Sequence, residues 1–179
     1  MSEPERTEGR DQPAGPEPRD EVDRIVDAWG HERPDLDFAP LHVLSRVDRL
    51  AKHLERARRD AFVASDLEQW EFDVLSALRR AGAPHQLSPK TLLQQTLVSS
   101  GAMTNRIDRL VARDLVERRT DPHDGRGILV TLTPSGGRAV DDAIERLVEA
   151  ERALLSDLDD HDRRRLAGLL RTLSLTLGG

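Results

Sequence analysis

Ser99–Thr133 reads SSGAMTNRIDRLVARDLVERRTDPHDGRGILVTLT, and the fold turns on this stretch. Met103, Ile107, Leu110 and Val111 recur at helical spacing and belong on one buried face. Ser99 or Ser100 is placed to cap the helix, because a serine oxygen accepts from the free N–H groups of a first turn. The opposite face carries Ser100, Thr104, Asn105 and Arg109. Hydroxyl, amide and guanidinium groups of this kind reach phosphates and base edges. Two short strands follow, about Val116–Thr120 and Ile128–Thr133, joined by a polar Asp-Pro-His-Asp-Gly-Arg turn. A helix followed by a hairpin with a basic tip is the second half of a winged helix-turn-helix. The bland alternative is a surface helix beside a hairpin.

The preceding segment favours the DNA-binding reading. Ser88-Pro89 is a strong helix start, serine as cap and proline at the first helical position. A helix over Ser88–Leu97 then turns tightly through Thr96-Leu97-Val98-Ser99 into the next one. Two helices joined this closely form a helix-turn-helix.

The run Ser100-Gly101-Ala102-Met103-Thr104-Asn105-Arg106-Ile107, then Asp114-Leu115-Val116-Glu117-Arg118-Arg119, Asp124-Gly125-Arg126 and Leu132-Thr133-Pro134, resembles the MarR family of dimeric transcriptional regulators. The Asp-x-Arg of the wing followed by Leu-Thr is its most specific mark, and the likeness extends from about Leu41 to the C-terminus. The resemblance implies a mainly α fold with a small β-hairpin wing, a winged helix-turn-helix on a helical dimerisation domain. It also implies a homodimer on a pseudo-palindromic operator in double-stranded DNA. The DNA-binding residues it implies are Ser99, Ser100, Thr104, Asn105, Arg109, Arg119, Asp124 and Arg126.

The charge balance agrees once it is localised. The chain of 179 residues carries a formal net charge of −6, which on its own opposes DNA binding. Ser88–Thr133, however, holds seven Lys/Arg against five Asp/Glu, so the acidic excess lies elsewhere. With 34% charged and 3% aromatic residues, the composition is that of long exposed helices. There is no cysteine, which excludes disulfides, thiol redox sensing and cysteine metal sites. No apolar run has the length of a membrane span and no signal-like core opens the chain, so a cytoplasmic protein with no membrane partner is expected.

Taken in order, residues 1–18 are almost devoid of apolar side chains and are expected to form a disordered arm. Asp20–Gly30 reads as a helix with Val22, Ile25, Val26 and Trp29 at helical spacing, capped by Asp20 and ended by Gly30 and Pro34. A long helix over Pro40–Ala64 carries the seam Val43, Val47, Leu50, Leu54, Ala57, Ala61. Another spans Glu68–Ala81, with Gly82 as its stop. Pro134–Leu158 and a last helix to about Leu177, capped by Asp159 or Asp160, expose more apolar stripe than one small winged helix can cover. A second copy is the economical partner. The expected organisation is therefore 19–87 for dimerisation and ligand pocket, 88–133 for DNA binding and 134–179 for dimerisation.

The extra N-terminal helix and its Trp29 are similar to the urate-responsive branch of the MarR family. That resemblance implies four ligand-binding positions: Trp29, Asp73, Arg106 and Arg118. A planar anion wants a π-face and a guanidinium, which Trp29 and Arg118 supply. An Asp73–Arg106 pair, released by an incoming anion, would move the recognition helix. Each residue singly has a plainer reading, as a core aromatic, an ordinary ion pair or a phosphate contact. The expected function is a regulator, a repressor, whose operator affinity falls with a small anion, urate before others. The alternatives are another small carboxylate, or no effector at all. The six histidines complete no metal or catalytic motif, and no phosphate loop or nucleophile elbow occurs. Neither an enzyme nor a cofactor is expected.

Overall fold

The computed structural model describes residues 18–96, 99–122 and 127–177. The arm expected over 1–18, the helix-turn-helix junction at 97–98 and the wing tip with Asp124 and Arg126 therefore fall wholly or largely outside the described residues. The chain divides into two compact units, residues 1–51 and 52–179.

In the first unit, α1 (Glu21–Glu32) starts on Asp20, whose carboxylate accepts from the Asp23 N–H at 3.1 Å while Asp23 caps the Asp20 N–H in return. The helix runs through Gly30 rather than stopping there. A glycine inside a helix costs only about 1 kcal/mol, and the chain turns instead at Arg33, just before Pro34. Val22 and Val26 are buried. Arg46, on the opening half of α2 (Ala39–Val63), donates to Asp20 and Asp23. This guanidinium holds the Asp23 carboxyl down at about 2.

The second unit is built around α3 (Gln69–Arg80), where Val74, Leu75 and Leu78 are fully buried. Around them lie Leu92 of α4 (Pro89–Thr96), Met103, Ile107 and Leu110 of α5 (Ser100–Ala112), Val140 and Ala143 of α6 (Pro134–Leu154), and Val116 and Val130 of the sheet. Phe62 and Phe72 stack at 4.4 Å at one edge of this cluster. The hairpin β2 (Val116–Thr120) and β3 (Ile128–Leu132) pairs antiparallel, with Arg118 opposite Val130. A two-residue strand β1 (Gln86–Leu87), not apparent in the sequence, pairs with Thr131 and Val130 and makes β3 the central strand. The wing is thus a three-stranded sheet anchored to the segment before α4. The mainly helical architecture with a small sheet agrees with the expected fold class.

Three local expectations change. Val111 is 38% exposed, because the buried face of α5 is complete with Met103, Ile107 and Leu110. Helix α6 ends at Leu154 rather than Leu158: the chain turns at Leu155 before Asp159 caps α7 (Asp160–Thr176). Ser99 occupies the N-cap of α5 but its hydroxyl makes no capping bond.

Candidate nucleic-acid interface

The start of α4 is fixed by Ser88, whose Oγ accepts from the Thr91 N–H at 3.2 Å, and by Pro89, which needs no partner for a missing N–H. Helix α5 buries one face and presents another. Ser99, Ser100, Thr104 and Asn105 are exposed, and Thr104 Oγ1 donates to the Ser100 carbonyl at 3.2 Å. This polar strip is suited to hydrogen bonding with a nucleic acid.

The arginines of α5 behave differently. Arg106, Arg109 and Arg113 recur at helical spacing along one flank, and all three turn toward the start of α3. The Arg106 guanidinium lies 5.5 Å from the Trp70 ring centroid. That of Arg109 lies 4.6 Å from the same ring, and its Nη2 donates to Glu68 Oε1 at 2.6 Å. Trp70 Nε1 donates to Glu68 Oε2 at 2.6 Å. The indole N–H and the Arg109 guanidinium together hold the Glu68 carboxyl below its ordinary range. Arg113 donates to Glu71 Oε2 and Asp66 Oδ2, each at 2.6 Å, and to the Asp66 carbonyl at 2.7 Å. Glu71 is 1% exposed, so Arg113 neutralises a charge that would otherwise sit unpaired in the core. Its bond to Glu71 raises the Arg113 pKa further.

On the wing, Arg118 Nη2 reaches Asp108 Oδ1 of α5 at 2.5 Å, and Arg119 Nε donates to Glu117 Oε1 at 2.8 Å. Both arginines are exposed.

Of the four ligand-site expectations, Asp73, Arg106 and Arg118 lie in the second unit and Trp29 in the first. Asp73 is partly buried, and among the described residues no hydrogen bond or ion pair reaches its carboxylate. The expected Asp73–Arg106 contact is therefore replaced by a through-space one. Burial pushes the Asp73 pKa up, while Arg106, Arg80 and Arg58 pull against it. The Arg106 guanidinium lies over Trp70 instead. Trp29 is 52% exposed and stacks on Phe38 at 6.1 Å. Phe38 also lines an open groove of about 670 Å³ with Val26, Gly30, His31 and His42. Glu68, Trp70, Asp108 and Arg113 were not singled out from sequence. The spacing of Arg106, Arg109 and Arg113 was the signal available for them.

Among the described residues no cluster of His, Asp or Glu can hold a metal ion, and no helix is long and apolar enough to cross a membrane.

A short helix α4, an α5 that starts four residues after α4 ends and exposes a polar face, and an antiparallel wing define a winged helix-turn-helix DNA-binding protein. The signature of the MarR family matches residues 65–127. The HTH-type transcriptional regulator PecS of Dickeya dadantii is 34% identical over 150 residues, covering 84% of this chain and 90% of PecS. The chain belongs to the MarR family of DNA-binding transcriptional regulators, proteins that are not enzymes. Its fold is similar to that of a mutant MarR from Escherichia coli crystallised with operator DNA: TM-score 0.62, 26% identity, 77% of this chain and 99% of that one. It is also similar to BpsR of Bordetella bronchiseptica, whose DNA binding is regulated by 6-hydroxynicotinic acid: TM-score 0.58, 29% identity, 74% of this chain and 91% of that one.

Proposed function

We propose that the chain acts in the cytoplasm as a homodimeric repressor on a pseudo-palindromic operator. Helix α5 enters the major groove with Ser99, Ser100, Thr104, Asn105 and Arg109, and the wing, with Arg119, Asp124 and Arg126, lies on the adjacent backbone or minor groove. The carrying observation is the division of α5 into a fully buried Met103–Ile107–Leu110 face and an exposed Ser100–Thr104–Asn105 face. Residues 88–133 read DNA in this scheme, and 19–87 with 134–179 hold the two copies together. The support for a second copy is α7, which has no buried residue although Leu166, Leu169, Leu170 and Leu173 share its length. Electrophoretic shifts on DNA upstream of its own gene test the reading. Thr104→Ala or Asn105→Ala should lower discrimination between that DNA and random duplex by about 1–3 kcal/mol. Unchanged discrimination in both variants would assign base reading elsewhere.

The same dimer is proposed to release DNA on binding a small planar anion, urate before others, with Asp73, Arg106 and Arg118 as the candidate ligand residues of the second unit and Trp29 as that of the first. Support comes from the unpartnered, partly buried Asp73, which feels Arg106 of the recognition helix through space. An anion arriving beside it alters that balance directly on the DNA-reading element. Another small aromatic carboxylate is the second reading, favoured by the likeness to BpsR and its 6-hydroxynicotinic acid. Shifts with urate and with 6-hydroxynicotinic acid separate the two, and release by neither would leave a regulator without this effector.

A further inference from the structure

We propose that Glu68 and Trp70 occupy Arg109 in the free protein as an internal substitute for DNA, so that operator binding has to displace them. The inference rests on the reading of Arg109 as a DNA contact.

The geometry is that of a nucleic-acid contact made within the chain. A guanidinium on DNA meets two kinds of partner, an anionic oxygen and a flat π-face. Arg109 already has both: Glu68 Oε1 at 2.6 Å and the Trp70 ring at 4.6 Å. The substitute is itself held in place. Glu68 Oε2 accepts from Trp70 Nε1 at 2.6 Å, which locks the carboxylate to the edge of the ring. Trp70 packs partly against the core, so the platform does not travel with α5. Glu68 and Arg109 remain more than half exposed, at 57% and 54% of their side chains. The contact thus adds little to stability, yet it lies open to exchange with solvent partners.

Exchange has a defined electrostatic consequence. When Arg109 turns to a phosphate, Glu68 loses its guanidinium partner, keeps the indole N–H with Arg113 acting on it only through space, and faces a polyanion. It then gathers a cation, which offsets one of the counterions released from DNA. The wild-type salt dependence is correspondingly shallower than the number of phosphate contacts implies.

Glu68→Gln keeps the shape and an acceptor for Trp70 Nε1 but removes the charge. Affinity of the full-length chain for a labelled duplex of its own upstream DNA is measured from about 50 to 200 mM salt, for wild type, E68Q, R109A and the double variant. The expected result is tightening in E68Q of about two- to fivefold, the range of an exposed ion pair, with a slope of log K against log salt steeper by about one unit. In the R109A background the same substitution should have almost no effect. A second readout is Trp70 emission in a Trp29→Phe background, where Trp70 is the sole tryptophan. DNA should shift it in the parent and much less in R109A. Equal tightening by E68Q with and without Arg109 would reduce Glu68 to plain repulsion and overturn the proposal. So would a weakened R109A beside an unchanged E68Q, which leaves Arg109 a DNA contact but not a displaced one. R109A binding like wild type would overturn the reading of Arg109 itself, and the displacement with it.

Discussion

Arg118 Nη2 of strand β2 lies 2.5 Å from Asp108 Oδ1 of helix α5, a cross-link between the wing and the recognition helix. Both side chains reach solvent, at 39% and 56% exposure, so the pair contributes at most about 1 kcal/mol to stability. Its consequence lies in what Arg118 is free to do. Asp108→Asn should leave urea denaturation within about 1 kcal/mol of wild type. On the proposed reading of Arg118 as a ligand for urate, it should also strengthen that binding about two- to fivefold, because the anion no longer competes with a carboxylate. Calorimetric titration measures the second effect, and weaker urate binding in D108N would show that Arg118 needs Asp108 as a support.

Asp73 makes a pH-dependent prediction with a definite sign. Burial raises its pKa in the folded chain above the ordinary value, against the pull of Arg106, Arg80 and Arg58. The folded state therefore binds the proton more tightly than the unfolded one. Stability from this group is present below about pH 4, the unfolded carboxyl range, and is lost as pH rises through the folded value. At pH 7 the ionised side chain is a liability. Asp73→Asn should raise the melting temperature at pH 7, and the gain should vanish by about pH 3.5. A lower melting temperature at pH 7 would mean that the attraction of the three arginines outweighs burial.

Gly136 has no room for a side chain. It lies in the first turn of α6, where an added Cβ would stand 2.0 Å from the Leu115 carbonyl oxygen and 3.0 Å from Leu132 Cδ1. A backbone oxygen cannot swing aside as a side chain can. Gly136→Ala should cost about 3 kcal/mol, the upper part of the range for overpacked sites, by forcing α6 away from the start of β2. Urea denaturation reads the loss directly, and the neighbouring Gly137→Ala, with its first contact at 3.9 Å, serves as the control.

The exposed leucines of α7 predict the state of assembly. Leu169, Leu170 and Leu173 are 59%, 43% and 42% exposed in the single chain. A second copy should cover them. Light scattering at micromolar concentration should give twice the 20.0 kDa chain mass for wild type and a single chain mass for Leu169→Glu/Leu173→Glu. The monomeric variant should also lose operator binding, since one half-site holds one recognition helix. A soluble wild-type monomer would exclude the proposed dimer.

Helices and their starts were legible because the forces that set them act within a few residues. Asp20 caps α1, Pro89 opens α4, and Met103, Ile107 and Leu110 share a buried face at the spacing of a helix. Ends were less legible. A glycine at position 30 and an apolar residue at position 111 each allow two outcomes, and surrounding contacts choose between them. The contacts that define the candidate interface lay beyond local reasoning altogether. Arg109 finds Glu68 and Arg113 finds Glu71 across more than 40 residues, and β1 finds β3 across a similar gap. A two-residue strand has no periodicity to read, and an exposed arginine has no preferred partner until the fold brings one near. Residue types therefore announced a DNA-binding chain, whereas the return of α5 onto the start of α3 decided which arginines are free and which are already engaged. The physical reason is range: capping and periodicity are nearest-neighbour effects, while an ion pair is selected by whatever charge the folded backbone places within a few ångströms.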